Sequence, residues 1–279
     1  MATMRRRASS RPLNFDSPPS ESWGYGAAPV VRAATRRATE TVVFVSDIHA
    51  PFHDEAAVAA ALRLIRKVAP DRVVINGDVN DFFQLSRFNA GLERLDVLQD
   101  EIDAANRIRR AIRSAAPNAH LLENEGNHDS RIKTYVQRNA RALTSLAALN
   151  PAQLFMHDEL EIDAYGAAGF RLRPEFLVKH GSVVRKGSGA TAKAELFTAG
   201  ISGISGHTHR LATHRVNGYV NRQWTEQGCL CRTDPDYVVG PPDWCTGLVV
   251  GEFSTRSDAF VTHDVPFIDG RLQLGLTSY

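Results

Sequence analysis

The sequence predicts an α/β fold built on two β-sheets, and three observations carry that prediction. Through the first two thirds of the chain, short β-branched apolar runs alternate with amphipathic stretches of helical period. That pattern marks a sheet containing parallel strands with helices on its faces. The last third is strand-rich, which implies a second sheet packed on the first. With 43% hydrophobic and 23% charged residues among 279, the composition is globular, excluding collagen-like, coiled-coil and fully disordered chains.

Residues 1–40 are rich in Ser, Pro and Gly without a sustained apolar period and read as a disordered or loosely docked arm. Residues 41–279 read as a single domain. The run TVVFVSD from Thr41 is β-branched throughout, as in a strand covered on both faces. A helix follows Asp54, its N-cap, with Val58, Leu62 and Ile65 on one face and Pro70 as its stop. RVVINGD from Arg72 is a second buried strand. A helix over 92–115 places Leu95, Leu98, Ile102, Ala105, Ile108 and Ile112 at three- and four-residue spacing. HLLENEG from His120 is a third strand, 130–150 a further helix, and 151–175 a poorly patterned insert or lid. A strand over 175–180, a Gly/Ser-rich turn, a helix over 190–199 and a strand over 201–205 come next. Strands over 212–217, 219–227, 246–253 and 258–264 complete the chain.

Thirty-three Lys and Arg against 31 Asp and Glu give a net charge of +2, which by itself favours no polyanionic partner. The charge is uneven: seven arginines and three acids make residues 1–40 +4, leaving the remainder at −2. No apolar stretch approaches the roughly 20 residues of a bilayer span, so no membrane partner is expected. The Arg-rich start lacks the apolar segment of a secretory signal. Cys229, Cys231 and Cys245 are odd in number and read as thiols in a reducing compartment, the cytoplasm. No fourth ligand for a structural zinc is evident beside them.

The ionisable residues collect at the ends of the apolar runs. Asp47 and His49 end the first strand; Gly77, Asp78 and Asp81 the second; Asn127, His128 and Asp129 the third; His180 the fourth; His207 and His209 the fifth. In open α/β sheets, loops from several strands converge beyond their carboxyl ends. Taken singly, Asp-x-His or Gly-Asn-His-Asp is an ordinary turn or helix cap. Five such segments in order, holding five of the ten histidines, are not. Imidazole and carboxylate together suit Mn, Fe, Zn or a related divalent ion. Seven such ligands are too many for one tetrahedral ion and suit two ions sharing a carboxylate.

SDIH (46–49), GDVND (77–81), GNHD (126–129), KHG (179–181) and GHTH (206–209) resemble the five signature segments of the calcineurin-like metallophosphoesterases. The resemblance implies a four-layer α/β/β/α sandwich of two mixed sheets flanked by helices, holding two divalent ions. Manganese is favoured, with Fe, Zn, Ni or Mg as other fits. By position, it implies Asp47, His49, Asp78 and His209 around one ion and Asp78, Asn127, His180 and His207 around the other, with Asp78 bridging. It further implies attack by a hydroxide shared between the ions and protonation of the leaving oxygen by His128. Asp81 or Asp129 would orient His128, with Asp81 the better positional match.

Departures restrict the substrate. Phe82, Phe83 and Asp129 stand where the protein-phosphatase branch has Arg-Gly and Glu, which disfavours a Ser/Thr phosphatase. Phosphate contacts are expected from Arg87 in QLSRFN and from Arg131 at a helix start. Lys186 and Ser188 in VRKGSGATAK are further candidates, although an ordinary capped helix start fits the same residues. The expected activity is a phosphoesterase acting on a phosphodiester, nucleotide or nucleic acid ahead of a phosphomonoester. The rival from another class is a non-catalytic nucleic-acid-binding or assembly protein with a vestigial metal centre, which predicts a lost ligand. None of the seven is missing.

Overall fold

In the first strand the side chains alternate between two different cores. In β1 (Thr39–Val45), Val43 and Val45 join one apolar cluster while Val42 and Phe44 join another, the period of two that a pleated strand imposes. The computed structural model describes residues 28–86, 97–218, 221–234 and 242–279. After β1 come α1 (Glu55–Val68), β2 (Arg72–Ile75), α2 (Leu98–Ala115), β3 (His120–Asn124) and α3 (Ser130–Asn139). Next are α4 (Pro151–Leu154), β4 (Ile162–Tyr165), β5 (Phe170–Arg173), β6 (Phe176–Lys179), α5 (Ala190–Ala199) and β7 (Ser202–Ser205). The chain finishes with β8 (Ala212–Val216), β9 (Arg222–Glu226), β10 (Gly247–Ser254), β11 (Phe260–Ile268), β12 (Arg271–Leu274) and β13 (Thr277–Ser278).

Eight strands form one sheet in the order β13-β12-β11-β10-β1-β2-β3-β4, and five form the other in the order β5-β6-β7-β9-β8. Both are mixed. β1 to β4 pair in parallel, as do β6, β7 and β9, and antiparallel strands complete each sheet. Val43, Val73, Leu121, Ala105 and Ile108 fill the space between the larger sheet and α1 and α2. Phe44, Val74, Phe170, Val178, Ile204 and Phe253 fill the space between the sheets, and Leu177 and Trp224 pack against Ala192 and Leu196 of α5. The layers are therefore α/β/β/α, as the resemblance implies.

Asp54 caps α1 by accepting from the Ala57 N–H at 2.9 Å, and the helix stops at Ala69, which is left-handed with φ 47°. Two expected segments fold differently, and β12 and β13 follow the last strand the sequence predicts. The helix expected over 130–150 ends at Asn139 and gives way to short 3-10 turns at Arg141–Ser145 and Ala147–Leu149. Of its residues only Ile132 is buried, so no apolar stripe extends it. The segment 151–175 gives an edge strand to each sheet: β4 pairs in parallel with β3, and β5 antiparallel with β6. Residues 92–96, the expected first turn of the second helix, lie outside the described residues, as do 1–27 of the basic arm. Residues 28–38 dock on the body through Val31 and Pro29 to Arg171, and through the Arg32 carbonyl to Arg72. Among the described residues no helix is long and apolar enough to cross a membrane.

Candidate metal centre

Three loops of the larger sheet and two of the smaller meet at one place. The loops leave the carboxyl ends of β1, β2 and β3 on one side and of β6 and β7 on the other, where switch points of α/β sheets open a crevice. The first two are laced together, the amides of Ile48 and His49 both donating to the Asp78 carbonyl at 2.9 Å. The turns are unusually tight. Asp47, His49, Asp78, His207 and His209 all have positive φ, between 49° and 69°. Left-handed backbone costs roughly 1–3 kcal/mol per non-glycine residue and clusters at functional sites. Here it falls on five of the seven side chains expected to bind metal. Gly126 belongs to the same constraint, since a Cβ there would collide with Asp78 Oδ1 and the Asp78 amide.

The imidazoles are aimed from behind. His180 donates from Nδ1 to the Asn76 carbonyl at 2.7 Å, and Asp81 Oδ1 holds His49 Nδ1 at 2.9 Å. Cys231 Sγ lies 3.7 Å from His209 Nδ1. Each contact fixes the ring and turns Nε2 toward the common space, the second layer that metal-ligating histidines generally need. There, His49 Nε2 is 3.1 Å from His209 Nε2, which is 3.2 Å from Asp47 Oδ1. His180 Nε2 is 3.1 Å from Asp78 Oδ2 and 3.2 Å from Asn127 Oδ1. His207 completes a group with Asp78 and His180.

These separations fit cations. Ligand bonds of roughly 2.0–2.2 Å, as histidine and carboxylate make to zinc-like ions, put ligand atoms roughly 3.0–3.5 Å apart around one centre. The groups Asp47–His49–His209 and Asp78–His180–His207 each bring together three of the four side chains that the resemblance implies around one ion, and His49, Asp78 and His128 form a further group. Asp78 lies between the first two, Oδ2 being also 3.8 Å from His49 Nε2. The buried charge points the same way, with Asp47, Asp78 and Asp81 at most 1% exposed. Burial alone would raise the Asp47 carboxyl, but the His209 and His180 charges outweigh it and hold it at about 2. Burial would lower His180, yet Asp78 and Asp47 push it up to about 10. His207 goes the other way, to about 4, through burial and the His180 charge. The carboxylates stay ionised while neighbouring rings compete for protons, a charge pattern that divalent ions would neutralise.

His128 stands beside this centre. Its amide donates to Asp78 Oδ1 at 2.8 Å, and its Nδ1 lies 2.9 Å from the Asp81 carbonyl and 3.1 Å from Asp81 Oδ1. Burial lowers its pKa, but Asp78 and Asp81 leave it above the ordinary histidine value. Of the two acids considered for orienting His128, the structure therefore brings up Asp81. Asp129 does something else: its carboxylate accepts from the amides of Asn80, Gly126 and Val79 and ties the second and third loops together. Burial and the Asp78 charge raise its carboxyl to about 6.

Arg131 reaches the centre, donating to the Asp81 carbonyl at 2.8 Å and lying 2.9 Å from His128 Nε2. Arg87 lies outside the described residues. Lys186 and Ser188 sit on an exposed turn, and the amides at the start of α5 are already taken. Gly189 N and Ala192 N donate to the buried carboxylate of Glu226 at 3.2 and 2.9 Å, so the Gly/Ser turn is an anchored helix start rather than an open anion cradle. Sequence reading overlooked Cys231 as the neighbour of His209, although the Cys-x-Cys spacing was visible; Cys229 and Cys231 lie within 4.8 Å of His209 as a group. It also overlooked the Asn76 carbonyl, which no side-chain pattern could reveal.

The chain is 29% identical over 254 residues to the gene 54 protein of Mycobacterium phage D29, covering 85% of this chain and 97% of that protein. It is 28% identical over 182 residues to the gene 54 protein of Mycobacterium phage L5, covering 62% and 70%. Among solved structures, a single mutant of Vps29 from Entamoeba histolytica superposes with TM-score 0.45 and 15% identity, over 86% of this chain and 99% of that one. YfcE, a phosphoesterase from E. coli, does so with TM-score 0.37 and 15% identity, over 80% and 98%. The calcineurin-like phosphoesterase family model matches residues 40–238, a span that contains all five converging loops. A chain with that match, and with the loops folded into two adjoining ligand clusters, belongs to the calcineurin-like phosphoesterase family.

Proposed function

We propose that this protein is a two-metal phosphoester hydrolase acting on a phosphodiester or nucleotide-type substrate. The observation that carries the reading is the set of four ligand-atom separations of 3.1–3.2 Å among Asp47, His49, His209, His180, Asp78 and Asn127. Asp47, His49, His209 and Asp78 would hold one ion, and Asp78, Asn127, His180 and His207 the other. A divalent pair so held, with manganese favoured, supplies the nucleophile and neutralises phosphoryl charge during in-line displacement.

The chain's own residues then manage the leaving group. Protonated His128 keeps Nδ1–H on Asp81 and needs Nε2–H free for the departing oxygen. In the structure the Arg131 guanidinium occupies that position at 2.9 Å, and two donors cannot face each other there. An arriving phosphate offers Arg131 a better acceptor. Its move toward the phosphate clears Nε2, so substrate binding and arming of the acid are one event. The non-catalytic rival requires a lost ligand, and the sequence keeps all seven side chains.

The test is hydrolysis of bis-p-nitrophenyl phosphate, p-nitrophenyl phosphate, a cyclic nucleotide and a dinucleotide with Mn, Fe, Zn, Ni or Mg. Asp78→Asn should remove turnover. His128→Ala should cost about 10²–10⁴-fold on the dinucleotide and much less on nitrophenyl esters, whose leaving group needs no proton. Wild-type protein inert toward every ester with every cation would refute the reading.

A further inference from the structure

A cavity of about 320 Å³ opens beside the metal centre, at the lower end of ligand-sized clefts (roughly 300–1,000 Å³). Asn127 and Arg131 line its inner end. From there it follows one face of α3, where Arg131, Thr134, Tyr135 and Arg138 recur at three- and four-residue spacing. Leu85 adds apolar surface, and no carboxylate lines it among the described residues. A helix rises 1.5 Å per residue, which sets Tyr135 about 6 Å and Arg138 about 10 Å beyond Arg131 along the axis. Tyr135 is 48% exposed although aromatic. Neither its hydroxyl nor the Arg138 guanidinium bonds any described side chain or backbone group.

An exposed ring between two arginines, with no carboxylate among the described lining residues, is the arrangement by which proteins track single-stranded nucleic acid. The ring stacks a base and the cations take flanking phosphates. The inner arginine is the one that faces His128 Nε2, so the groove extends on the leaving-group side. We infer that this groove binds the nucleotide portion of the leaving group, its base stacked on Tyr135 and its next phosphate paired with Arg138. The inference rests on the phosphodiester reading above and narrows it to nucleotide diesters. A strand and a dinucleotide share the base; only the strand supplies the further phosphate.

Full-length wild type, Tyr135→Ala and Arg138→Gln would be compared in two assays, with thermal melting confirming that all three fold. The first is binding of a fluorescein-labelled oligothymidylate in EDTA, as a function of salt. Tyr135→Ala should weaken binding about 10-fold. Arg138→Gln should weaken it severalfold and reduce the slope of log K against log[salt] by about 0.7, one phosphate contact on a single strand. The second is turnover with Mn. Thymidylyl-thymidine should suffer from Tyr135→Ala but not from Arg138→Gln, whereas the oligonucleotide should suffer from both. If bis-p-nitrophenyl phosphate is hydrolysed while both variants bind and cleave the oligonucleotide within two-fold of wild type, the groove is refuted and the hydrolase stands. If the oligonucleotide binds with the stated dependence on both residues but no ester is cleaved with any cation, the hydrolase is refuted and the groove stands.

Discussion

Replacing Asp81 by Asn isolates one charge that serves two rings. Asp81 Oδ1 lies 2.9 Å from His49 Nδ1 and 3.1 Å from His128 Nδ1, and the residue is only 1% exposed. Asn can present an oxygen at the same point, so shape survives and only the charge is lost. Hydrogen bonds to charged groups contribute about 1.5–3 kcal/mol against about 0.5–1.5 for neutral ones, so each ring loses about 1 kcal/mol. At 1.36 kcal/mol per decade, about 2 kcal/mol corresponds to a fall in kcat/KM of about 30-fold. The assay is a pH profile on a dinucleotide at saturating Mn, with a parallel Mn titration. His128 is drawn down by burial and held up by Asp78 and Asp81. Removing the Asp81 charge therefore lowers its pKa, and the alkaline limb of the profile moves to lower pH because the protonated acid is lost sooner. The Mn titration should separately show weaker binding, through His49. A kcat/KM within three-fold of wild type together with an unmoved alkaline limb would refute the assignment of Asp81 as the residue that positions His128.

Other outcomes follow from the same geometry. Gly126→Ala drives a methyl group into Asp78, and displacement of that ligand should cost about 10²-fold in turnover, with metal content per chain reduced and circular dichroism unchanged. Cys231→Ala leaves the buried Nδ1 of His209 without its sulfur neighbour, which should weaken Mn or Zn binding about 10-fold by calorimetry; unchanged affinity would show that the thiol does not position the ring. Glu123 pairs with Arg109 at 2.6 Å in the interior, where Arg109 also donates to Asn80 behind the second loop. Glu123→Ala should cost about 3–5 kcal/mol in urea unfolding at neutral pH. Burial raises the Glu123 carboxyl, but Arg109 and His157 dominate and hold it at about 2, against an ordinary 4.5. Its contribution is thus full above pH 4.5 and fades as pH falls toward 2, so the variant should show a shallower loss of stability over that range.

The five strand-end segments were legible because each follows a short buried strand, β-branched in β1 and β2 and carried in the others by neighbouring helix and turn signals. Asp54 and Pro70 bound α1 for equally local reasons. What could not be read depended on contacts between distant segments. β4 (IDAY) has one buried residue in four, too little alternation to mark an edge strand, and its place beside β3 is set by the sheet. The sequence shows a Gly-Ser-Gly turn before α5 but not that Glu226, more than thirty residues away, already fills its amides. Likewise, Arg131 at a helix start suggests phosphate, whereas its approach to His128 Nε2 appears only once the third loop is folded against the second.

The placement of the candidate ligands would also join the two halves of the sandwich. Asp47, Asp78 and Asn127 follow strands of the eight-stranded sheet, while His180, His207 and His209 follow strands of the five-stranded one. An ion held by side chains from both would be a rivet through the seam, adding to the apolar packing and to polar ties such as Arg173 to Glu40 and Asn76 to the Lys179 carbonyl that already join the layers. Taking up metal and closing the rim of the sandwich are then thermodynamically linked. Chelation should loosen the seam from the loop end inward, raising amide exchange after β6 and β7 before the strands themselves are affected.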